Sequence, residues 1–87
     1  MKKESVEQVL PYQAIDMHAT GQRLKEYADR AGLSVRQIQC CLQLAYPQPI
    51  YRWYRGDILP SINHLYMLSV LLQVHMEELL VVRDENN

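Results

Sequence analysis

The chain has no phenylalanine, only three glycines, four prolines and two cysteines among its 87 residues. Scarce glycine and proline, with no low-complexity run and no internal repeat, argue against a disordered chain. No apolar stretch reaches the length of a membrane span, because polar residues interrupt each one within a few positions. The opening MKKESVEQVL carries two lysines and no apolar segment behind them. No signal peptide is therefore expected, and a cytoplasmic location is. Cys40 and Cys41 are adjacent in an expected helix, a spacing that suits neither a disulfide framework nor a metal site. They fit a reducing compartment, with one of the pair packed as a small hydrophobe. His18, His64 and His75 have no mutual spacing suited to an ion. No Ser/His/Asp or Cys/His constellation and no glycine-rich phosphate loop is present, so catalysis, a metal and a cofactor have no support.

An excess of positive charge is lacking as well, the net being −1. Its distribution is uneven. Residues 21–56 hold Arg23, Lys25, Arg30, Arg36, Arg52 and Arg55 against Glu26 and Asp29, a net of +4. Residues 57–87 hold Arg83 against five carboxylates, a net of −4. The middle of the chain is thus the part suited to an anionic partner.

What is present is helical periodicity, enough for one domain with a single core. Residues 1–13 show no period, and 14–17 read as a short approach segment. Thr20 can cap a first helix whose inner face is Leu24, Tyr27, Ala28 and Ala31, ended by Gly32. Ser34 is the best N-cap of the chain and opens a second helix over 35–43, with Val35, Ile38, Cys41 and Leu42 on one side. After 44–46 comes a third helix over 47–55, within the string YPQPIYRWYRG. Its prolines suit a first turn, Ile50, Trp53 and Tyr54 form an anchoring stripe, and Gly56 stops it. Ser61 caps a fourth helix, apolar at Ile62, Leu65, Leu68, Leu71 and Leu72. Tyr66, Met67 and Val70 add so much that this helix reads as buried on several sides. A last short helix is expected over 76–81. The organisation is an arm over 1–19, an all-α domain of five helices over 20–82 and a loose tail over 83–87.

The ordered series Gly21-x-x-Leu24, Gly32-Leu33-Ser34, Ile38, Leu42, Ile50-x-x-Trp53-x-x-Gly56, Pro60-Ser61, Leu65, Leu68, Leu72-x-Val74 and Glu78-Leu79-Leu80 resembles the Cro/C1-type (XRE-like) helix-turn-helix family. Within that family it is most similar to small stand-alone bacterial regulators with a PQxIYxWxRGxxLPS string. The resemblance implies a compact five-helix, lambda-repressor-like domain, often dimeric, that recognises operator DNA. It places Tyr46, Gln48 and Arg52 at base edges. Gln and Arg can each bond one base, adenine or guanine, at two points, and their i, i+4 spacing sets both on one side of the helix. Phosphate contacts fall to Arg36, Val35 through its backbone, Tyr51, Arg55 and Gln39. The core falls to Leu24, Ile38, Leu42, Ile50, Trp53, Tyr54, Leu65 and Leu68.

Three departures stand out. Gln39 occupies a position where many members have alanine, and Gln43 lies near one where many have glycine. The path from Gln39 to Ile50 is one residue longer than the commonest spacing, which widens the turn, so Gln39 has two open readings: phosphate contact, or filler of that turn. Ala28 and Tyr54 stand where many members have an Arg–Glu ion pair, and tyrosine packing over alanine can replace it. Two functions compete: a sequence-specific regulator of double-stranded DNA, or an antitoxin-like or adaptor module that keeps the fold and binds a protein, using Ile58 and Leu59. A homodimer is expected in the first case, through Leu79, Leu80, Val81 and Val82.

Overall fold

The structure, a computed structural model, describes residues 12–83. Four α-helices follow one another, α1 Met17–Arg30, α2 Val35–Cys41, α3 Gln48–Arg55 and α4 Ile62–Leu72, and a 3₁₀ turn Met76–Leu79 closes the series. Among the described residues there is no strand, only an isolated antiparallel bridge between Ile15 and Val82. No helix there is long and apolar enough to cross a membrane. The all-helical class holds, but the fifth helix is a single 3₁₀ turn. Beyond it the β-branched Val81 and Val82 run extended beside Ala14–Asp16, where the Asp16 N–H donates to the Val81 carbonyl at 2.7 Å and the Arg83 N–H to that of Ala14 at 2.8 Å.

The helix boundaries follow from their caps. Ser34 Oγ accepts from the Gln37 N–H while the Gln37 side chain accepts from the Ser34 N–H, a closed capping box at the start of α2. Ser61 Oγ accepts from the His64 N–H at the start of α4. The first helix departs from expectation. Asp16, not Thr20, is its cap, taking the Ala19 N–H at 2.9 Å. Thr20 lies a turn inside, fully buried, and its Oγ1 accepts the Val81 N–H at 2.9 Å. The expected arm over 1–19 therefore ends in helix; residues 1–11 and 84–87 lie outside the described residues.

The core consists of Leu24 and Ala28 from α1, Ile38 and Leu42 around α2, Ile50 and Trp53 from α3, Leu65 and Leu68 from α4, and Leu79. Tyr54 is half-buried against it. Four expectations are corrected. Ala31 is exposed, past the end of α1. Both Cys40 and Cys41 are exposed, since the last turn of α2 leads away from the core. Leu79 is fully buried and closes the core instead of offering a contact surface. On α4, Ile62, Tyr66 and Val70 face outward, 73%, 56% and 49% exposed, because so small a domain has no second layer to cover that side.

The crossing of α1 over α3 sets the position of the site. A Cβ at Gly21 would stand 2.6 Å from the Tyr54 carbonyl oxygen and nearer still to that of Trp53, so only glycine lets the two helices come this close. At the other end Gly56, with φ of 80°, ends α3 and lies against the backbone of His18. Every buried side-chain polar atom among the described residues has a partner.

Candidate nucleic-acid interface

Helices α2 and α3 are joined by residues 42–47, and this turn is held by the Gln39 side chain. Gln39 Nε2 donates to the carbonyls of Leu44 and Ala45, both at 3.3 Å. The backbone adds Gln43 N–H to the Cys40 carbonyl and Leu44 N–H to that of Gln39. Gln43 adopts the left-handed conformation, φ 57°, that glycine takes with less strain. Of the two readings of Gln39, the structure gives its amide nitrogen to the turn.

One side of α3 is anchored by Ile50 and Trp53, both buried, with the Trp53 ring tilted against that of His64 at 5.6 Å between centroids. The other sides carry Gln48, Tyr51, Arg52 and Arg55, all exposed, and Tyr46 stands exposed in the turn just before them. Gln48 and Arg52 lie one turn apart on the same outward row. Among the described residues neither Arg36 nor Arg52 is held by a carboxylate, whereas Arg55 Nε pairs with Asp57 Oδ2 at 3.0 Å on the surface. The outward row thus presents an amide and a guanidinium from a helix anchored by two buried side chains.

Val35 is half-buried, packed against the core. Together with Tyr51 and Arg55 it lines one hollow of about 350 Å³ between α1, the start of α2 and α3. Arg36 is exposed beside Val35 and does not line it. The hollow also takes in Lys25 and Asp29, an exposed i, i+4 ion pair at 3.0 Å on α1. Nothing in the sequence singles out Lys25, since a lysine paired on a helix surface is ordinary; only the crossing of α1 over α3 brings it there. Burial, with Asp29 and Tyr51 adding to it, pushes the Tyr54 phenol up to about 12, so it stays uncharged at neutral pH.

No family model matches this chain, and no curated protein matches it. Among solved structures, the fold is similar to the restriction-modification controller protein C.AhdI from Aeromonas hydrophila, with a TM-score of 0.66 and 26% identity over 74% of this chain and 96% of that one. The resemblance carried by the ordered series of residues is thus matched in three dimensions: the chain is a small, all-helical helix-turn-helix protein similar to a controller of the Cro/C1 type.

Proposed function

We propose that this chain is a sequence-specific, double-stranded DNA-binding transcriptional regulator, repressor-like and cytoplasmic, that inserts the helix over 47–55 into the major groove. The observation that carries the reading is the outward row of α3, where Gln48 stands with Arg52, which no carboxylate among the described residues holds, on a helix locked by Ile50 and Trp53. Each bidentate pair such side chains make with a base is worth roughly 1–3 kcal/mol of discrimination. Tyr46 flanks that row, and Arg36, Tyr51, Arg55 and the Val35 backbone reach the phosphates beside it. The similarity to a controller protein supports the same class of function.

One domain with so few base contacts binds weakly, and a second copy doubles the site and imposes a palindrome. The C-terminal segment is the contact for a second copy; with Leu79 inside the core, the half-buried Leu80 and Val81 and the exposed Val82 are what it offers. A dilution series in sedimentation, with and without DNA, tests the dimer; monomer alone throughout refutes it.

The experiment for the reading itself is selection of bound duplexes from a random pool at two salt concentrations, with Arg52→Ala as the control. The expected result is an enriched palindrome whose preference at one base pair relaxes in the variant. No enrichment at either salt refutes the regulator and turns the search to a protein partner.

A further inference from the structure

We propose that the hollow between α1, the start of α2 and α3 seats one backbone phosphate of the bound duplex, with Lys25 as its cationic ligand and Asp29 as the carboxylate that yields to it. The proposal rests on the DNA-binding reading and adds to it a contact from α1, a helix that reading leaves as scaffold. The half-buried Leu33 and Tyr54 make the bottom of the hollow and the exposed Lys25, Asp29, Tyr51 and Arg55 its rim. An apolar bottom accepts the face of a deoxyribose, and a rim of one ammonium, one guanidinium and one phenol accepts the phosphate beside it. At about 350 Å³ the hollow has room for one such unit.

The charges are arranged for exchange. Lys25 Nζ is held by a single oxygen of Asp29 at 3.0 Å and Arg55 Nε by a single oxygen of Asp57 at 3.0 Å, with all four side chains about half exposed or more. Exposed pairs of this kind hold weakly, and the flexible lysine stem lets the ammonium swing from carboxylate to phosphate without moving α1. Among the described residues Asp29 is the one carboxylate on the rim, so it opposes the phosphate for as long as it stays there. Tyr51 and Arg55, assigned to phosphates from the register of α3, share this rim with Lys25, so contacts from two helices converge on one position of the DNA backbone.

The test is fluorescence anisotropy of the full chain on a mixed-sequence duplex of about 30 base pairs, titrated between 50 and 200 mM salt. Lys25→Ala preserves the helix, alanine being the strongest helix former. It is expected to lower the slope of log affinity against log salt by about 0.9, so that the loss of affinity over the fourfold rise shrinks by about 3.5-fold. Asp29→Asn is expected to tighten binding, opposite in sign to Lys25→Ala at the same salt. Neither variant is expected to change the base-pair preference that Arg52→Ala relaxes. Wild-type affinity and slope in both variants, on a duplex the wild-type protein binds, overturns the phosphate seat and leaves the DNA-binding reading intact. Failure of the wild-type protein to bind any duplex overturns both.

Discussion

Replacing Gly21 by alanine adds one carbon where α1 crosses α3. The carbon meets backbone, the carbonyl of Tyr54 at 2.6 Å and that of Trp53 closer still, where ordinary contact begins at 3.4 Å. No rotamer change can relieve a clash with backbone, so the helices must part by about 1 Å. Alanine in place of a helical glycine returns about 1 kcal/mol of propensity. Against it, overpacking costs roughly 1–3 kcal/mol, here at the upper end because nothing flexible gives way. Parting the helices also loosens Leu24, Ile50 and Trp53, and a gap of 0.5–1 Å forfeits roughly a quarter to a half of each dispersion contact. The net is a loss of about 2 kcal/mol, a large share of the stability of a domain this size. At about 4–8 °C per kcal/mol, the melting temperature followed by circular dichroism falls by about 8–16 °C. DNA affinity measured below that temperature falls as well, since α3 is presented at a shifted angle. A Gly21→Ala protein that melts at or above the wild-type temperature refutes the crossing as described.

Two further outcomes are expected. Gln43→Gly relieves the left-handed strain in the turn and stabilises by about 0.5–1 kcal/mol, read as a higher urea midpoint with unchanged slope; a lower midpoint contradicts it. Below pH 10 both folded and unfolded chains keep the Tyr54 proton. Between pH 10 and about 12 only the unfolded chain releases it, so stability falls across that window. Urea midpoints at pH 9 and pH 11 should therefore drop more in wild type than in Tyr54→Phe, and equal drops would show that the phenol is not desolvated.

Much of this fold is local and is written in the chain at spacings of three and four residues. Ser34, Ser61 and Gly56 bound their helices by hydrogen bonds and dihedral preferences that need only neighbours along the chain. The anchoring of α3 by Ile50 and Trp53, and with it the outward row of Gln48 and Arg52, follows from one helical period. The same periodicity sets Leu24, Ile38, Leu42, Ile50, Trp53, Leu65 and Leu68 inside, where all are buried, and Tyr54, which is half-buried. It also points Ala31, Cys41 and Ile62 inward, and these are exposed. Tertiary structure alone decided what depends on residues far apart. Thr20 has the chemistry of a cap, but its hydroxyl is taken by the backbone of Val81, which pulls it inside the helix and leaves capping to Asp16. The same pairing draws the chain out of helix after Leu79. The outward row of α4 is as apolar as the inward one, and sequence cannot say which of two greasy sides a small core has room for. A glutamine at position 39 suits a phosphate as well as a turn, and only the longer connection brings two carbonyls within its reach. Lys25 reaches the rim beside Tyr51 and Arg55 only because Gly21 lets α1 lie on α3, a contact between residues distant in sequence that no local pattern encodes.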